Sequence, residues 1–184
     1  MKDTMQVDAK DAQKYFDAMT EFQFTHNELR KDFNSIYEIV GNLDEMSSSY
    51  KPLLRASLKE LFSLIEADLY LYNQYNAYTN YFDKEAFSDK FKKTFKRHGR
   101  TFNRMPDVLS FNSLNFELFN ELKAKRDKIT HPKGLADLHV DRNDLASIYK
   151  FYVLYTDHVN NLMTGTSFSY TMPIRDILAW KSQL

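Results

Sequence analysis

The chain has 184 residues, with 25 Lys and Arg balanced by 25 Asp and Glu, and no cysteine. Zero net charge excludes a polyanion binder working through overall charge, so any contact with nucleic acid must come from a local patch. The missing cysteine excludes disulfides and thiolate metal sites, and only 4 Gly and 4 Pro argue for long helices with few connections.

In chain order, the first predicted element is a long helix over about 7–40, closed by Gly41-Asn42, residues that accept positive φ. Phe16, Met19, Phe22 or Gln23, Leu29 or Arg30, Phe33, Ile36 or Tyr37, and Val40 give it a period near 3.6. The polar break at Thr25-His26-Asn27 predicts a bend. A serine-rich loop leads to Pro52, which a first helical turn tolerates. The second helix is predicted from about Leu53 to Phe82. Leu54, Leu58, Leu61, Ile65, Leu69 and Tyr72 form its apolar stripe. The tyrosines that follow, to Tyr81, read as packing at a helix seam, with base stacking as the alternative.

Residues 84–104 read as a third, basic helix broken near Gly99. Phe87, Phe91 and Phe95 anchor one face, and Lys92, Lys93, Lys96, Arg97 and Arg100 cover much of the rest. Such a run is either a solvated face or a footprint for a phosphate backbone. His98 lies inside it and is expected at the surface. Met105 to Phe111, with Pro106, is expected as a connector. A fourth helix is predicted over about 112–130, capped by Asn112 or Ser113. After Pro132 comes a loop to Val140. Asp141 caps the next helix, with Asp144 at the capping-box position, and that helix is predicted to end near Gly165. The tail, 166–184, reads as an extended piece and a short helix from Pro173. The fold class expected is an all-α, up-and-down bundle of about five helices in a single domain, 1–184.

The chemistry concentrates at the end of the fourth helix. At about 100° per residue, Arg126 falls roughly 40° from Leu122, inside an apolar stripe with Leu118 and Ile129. A guanidinium cannot shed its proton, so it needs a carboxylate, a phosphate or a wet cleft. His131 precedes Pro132, which pushes it out of the α region and ends the helix near Thr130. On a continuous helix it would point roughly 140° from Arg126; off the helix it is free to swing back. A histidine titrating near neutrality suits a general base, and an arginine fork suits phosphate oxygens. A metal-free ribonuclease needs such a pair and also an acid for the leaving group, which a second copy across a two-fold axis supplies. The opposing readings are structural. Arg126 pairs internally with Glu66 or Asp68, and His131 caps the helix C-terminus.

No glycine-rich phosphate loop, HExxH or GxSxG motif is present, and the five histidines are scattered. His131 and His139 lie near each other, but two histidines without a carboxylate at helical spacing make a weak metal set. No metal site and no cofactor are expected.

The run Arg126-Asp127-Lys128-Ile129-Thr130-His131 resembles the R-x4–6-H motif of the HEPN superfamily (higher eukaryotes and prokaryotes nucleotide-binding domains). Asp127, directly after the arginine, fits that pattern too. The stretch from Arg55 to Ala67 resembles the second core helix of several HEPN groups, so the likeness covers about 50–165. The resemblance implies a helical bundle, frequently a homodimer, and metal-independent endoribonuclease activity in toxin–antitoxin or anti-phage systems. By that likeness Arg126 and His131 are catalytic, and Asp127 orients one of them. Glu66 and Tyr70 stand as supporting residues behind them. Lys92, Lys93, Lys96, Arg97 and Arg100 would hold RNA. Members without catalysis bind RNA, nucleotide or a protein partner such as an antitoxin, which is the alternative function. The N-terminus carries no apolar h-region, and no run approaches a membrane span. A cytoplasmic protein with no membrane partner is expected.

Overall fold

The structure is a computed structural model, which describes residues 9–75 and 85–169. Among them lie five α-helices and no strand: α1 (Ala9–Asn42), α2 (Tyr50–Tyr75), α3 (Phe87–Thr101), α4 (Met105–Thr130) and α5 (Arg142–Ser169). A short 3₁₀ turn, Leu135–Leu138, links α4 to α5. The architecture is an all-α helical bundle. Within the described residues no helix is long and apolar enough to cross a membrane.

The apolar periodicity predicts the core well. Leu54, Leu58, Leu61, Ile65, Leu69 and Tyr72 of α2 are all fully buried. They can all be buried because α2 is contacted from several sides: by α1 along the longest seam, and by α3, α4 and α5. Phe22, Phe33 and Val40 bring α1 into the same core, and Phe91, Phe95, Phe119, Phe151 and Tyr155 fill its centre. Aromatic rings pack there at offset or edge-on angles, as between Phe91 and Phe119 (centroids 4.4 Å apart) and Phe91 and Phe95 (4.9 Å). Phe16, the first member of the α1 stripe, is instead 60% exposed, because core packing on that side begins at Met19.

α1 is continuous through His26, whose ring turns inward to a buried partner. Several expectations change. Gly99 does not break α3. It lets α3 approach α4 closely, since a β-carbon there would meet Val108 Cγ2 at 3.0 Å and Met105 Sδ at 3.1 Å. The helix ends two residues later, and Asn103, at φ 56°, turns the chain. The expected connector Met105–Phe111 is instead the first part of α4, with Pro106 at its first positions, where a missing N–H is harmless. α5 also runs four residues beyond Gly165. The tyrosine seam beyond Tyr75 and the tail helix from Pro173 fall outside the described residues.

The α5 cap forms as its sequence predicts. Asp141 accepts hydrogen bonds from the backbone N–H of Asn143 (2.8 Å) and Asp144 (3.2 Å), and Asp144 accepts from the N–H of Asp141 (2.8 Å). These bonds hold the Asp141 carboxyl below the usual carboxylate range. On the other side of the loop, Arg55 of α2 donates to the Leu138 carbonyl at 3.1 Å. The segment carrying His131 is thereby anchored to α2 at its far end.

Candidate functional site

Arg126 lies near the end of α4, where the helix faces α2 and α3. Its need for a partner is met by Glu66 of α2, which accepts from Nη2 at 2.9 Å. Nη1 lies 3.4 Å from Asp127. The guanidinium rests over two rings, Phe62 of α2 at 4.9 Å and Phe87 of α3 at 5.4 Å. Only 19% of the Arg126 side chain is exposed, against 53% for Glu66. The fork is therefore fixed in orientation by an aromatic floor, while its main carboxylate stands in solvent.

Asp127 has a second cation. Lys123, one turn earlier, donates to it at 2.7 Å. His131 is the C-cap of α4, with φ −128° and ψ 61°, and its backbone N–H bonds to the Asp127 carbonyl at 3.0 Å. Pro132 thus stops the helix where the sequence predicts. The His131 side chain is exposed, and no hydrogen bond or ion pair joins it to Arg126. Tyr70 is exposed as well and accepts from Gln74 at 2.8 Å.

On α3 the basic residues divide. Lys92 lies 3.8 Å above the Phe116 ring, and Lys93 pairs with Glu85. Lys96 and Arg100 are exposed, and Arg97 is half-buried. His98 is not at the surface but fully buried, edge-on to Tyr72 at 4.7 Å. The signal was present, since His98 continues the Phe91–Phe95 stripe by one further helical step. Burial lowers its pKa to about 4. Burial does the same to His158 on α5, also about 4, where the ring stacks on Phe111 at 4.1 Å.

A polar cluster that the sequence did not single out lies between α1, α2 and α5. Asp68 is fully buried and accepts from Nδ1 of His26 at 2.8 Å and from the Tyr155 hydroxyl at 2.8 Å. Burial pushes the Asp68 carboxyl up, against the opposing pull of the His26 and Tyr155 hydrogen bonds and the Arg30 charge. The available signal was a polar residue on each of three apolar stripes: His26 four after Phe22, Asp68 three after Ile65, and Tyr155 four after Phe151. Asp68 is thereby committed to His26, not to Arg126. Among the described residues no group of three or more His, Asp or Glu side chains is placed to hold a metal ion.

No family model, no curated protein and no solved structure matches this chain.

Proposed function

We propose that this chain is a metal-independent endoribonuclease resembling the HEPN type, with Arg126 and His131 as its catalytic residues. The observation that carries this reading is the pre-set arginine fork. It is held over Phe62 and Phe87 by a solvent-exposed carboxylate, one turn before a helix end that presents an exposed imidazole. Glu66 is more than half exposed, so a phosphate can take its place on an already oriented fork. His131 accepts the proton of a ribose 2′-hydroxyl, whose oxygen attacks the adjacent phosphorus. Arg126 stabilises the charge that grows on the phosphorane oxygens. The bond to the 5′-oxygen breaks, and that oxygen takes a proton from the imidazolium of a second copy in a homodimer. Products are a cyclic phosphate and a free 5′-hydroxyl. Lys96 and Arg100, exposed further along α3, hold the backbone.

The test is cleavage of single-stranded RNA and of tRNA with divalent ions chelated. His131→Ala is expected to lower the rate about 10²–10⁴-fold with an unchanged melting temperature. A chain inactive on both substrates, or a variant as fast as the parent, removes the proposal.

A second reading is favoured by one observation. Both terminal nitrogens of Arg126 already face carboxylates, and its Nε is buried without a partner. On this reading the pair is internal scaffolding, and the bundle binds RNA, nucleotide or a protein partner without cleaving anything. Arg126→Ala then lowers stability sharply, and RNA is bound but remains intact.

A further inference from the structure

The second polar centre adjoins a cleft. Phe22, Gln23, His26 and Asn27 of α1 and Val159, Asn160 and Met163 of α5 enclose about 210 Å³. Phe22, Val159 and Met163 are buried and form an apolar floor. Gln23, Asn27 and Asn160 are exposed and form an amide rim. His26 is 3% exposed, with one edge of its ring committed to the interior: Nδ1 lies 2.8 Å from Asp68 Oδ2 and 2.9 Å from Oδ1. Its other nitrogen, Nε2, is buried and has no hydrogen-bond partner among the described residues.

The hydrogen-bond network assigns the proton. The Tyr155 hydroxyl donates to Asp68, and Tyr155 is held protonated because burial pushes its pKa well up. With Asp68 ionised, its carboxylate receives two donors, Tyr155 O–H and His26 Nδ1–H, and Nε2 of the neutral ring is left as an acceptor. The centre thus presents an acceptor backed by a buried negative charge. The rim adds three amide side chains, whose oxygens can also accept. A ligand that suits this set donates through N–H, carries positive charge, and has a short apolar body for the floor.

We propose that this cleft binds a small primary ammonium ion, with His26 Nε2 accepting one of its N–H bonds and the rim amides accepting the others. The site is separate from Arg126 and His131 and stands whether or not the chain cleaves RNA.

The test is a titration of the full chain with butylammonium, followed by ¹⁵N NMR of the His26 ring, with 1-butanol and tetramethylammonium as controls. Butanol keeps the apolar body without the charge, and tetramethylammonium keeps the charge without N–H donors. The expected result is a saturable shift of His26 Nε2 with butylammonium alone. His26→Asn keeps an N–H for Asp68 but removes the acceptor at the Nε2 position, and is expected to weaken binding at least about tenfold, the usual scale for a hydrogen bond to a charged group. Asn160→Leu, on the exposed rim, is expected to weaken it in the same direction with the core intact, and serves if His26→Asn does not fold. No saturable shift in the parent chain, an equal shift with either control, or undiminished binding in a folded variant overturns the proposal.

Discussion

Two carboxylate-centred sites on opposite faces of α2 use similar chemistry and live in different solvents. Glu66 meets Arg126 at the rim, with more than half of its side chain in water. Asp68, two residues on, meets His26 and Tyr155 with none. Water screens the first pair and lets its partners be exchanged, so it contributes little to stability and stays open for chemistry. In the second, Asp68 and Tyr155 have lost their hydration and only His26 borders the cleft, and removing one group leaves the others unpaired in a low dielectric. The same difference separates the histidines. His131 stands in solvent at the tip of α4, whereas His98 and His158 are held neutral by their surroundings.

The sharpest way to break this comparison is at Asp68. Asp68→Ala strands the His26 and Tyr155 donors and is expected to destabilise the fold by about 3–5 kcal/mol in urea denaturation. A loss under about 1 kcal/mol means that the cluster is wet, not sealed.

Acid comes next. The folded pKa of His98 and of His158, each about 4, lies below the ordinary histidine value of about 6.5. Between those values the unfolded chain binds more protons than the folded one. Stability is therefore full above about pH 6.5 and falls as pH drops toward 4, by about 3 kcal/mol for each histidine. Denaturant midpoints at pH 7, 5.5 and 4.5 read this directly. His158→Phe keeps a ring against Phe111 and removes one titrating group, so its profile is expected to lose roughly half of the slope. An unchanged slope shows that His158 is solvated when folded.

The smallest effect is expected at the rim. Glu66→Gln keeps a side-chain oxygen facing Arg126 and shifts stability by less than about 1 kcal/mol. A larger loss makes the pair structural and favours the scaffold reading over the nuclease. A small loss together with tighter RNA binding, seen by filter retention at low salt, sharpens the case for an exchangeable fork.

Much of the fold was legible because apolar periodicity is a local property. The α2 stripe, the inward position of Arg126, the stop at Pro132 and the Asp141 cap each follow from spacing within one turn or two. The errors share a cause. Met105–Phe111 is not a connector: proline marks both helix starts and loops, and the close approach at Gly99 that puts α4 there involves residues of a neighbouring helix. The charged neighbours of His98 suggest a surface position, although its spacing from Phe91 and Phe95 points inward.

By itself the sequence determined that this chain is helical, which side of each helix is apolar, and that Arg126 requires a partner. Those are consequences of residue volume, charge and a 100° step, all settled along the chain. It did not determine which carboxylate answers Arg126. Glu66 and Asp68 stand about 200° apart around α2, so each is near a helix, but a different one. Only the packing of α1 and α5 on one side of α2 and α4 on the other decides which acid is sealed with a histidine and which is left in water beside an arginine.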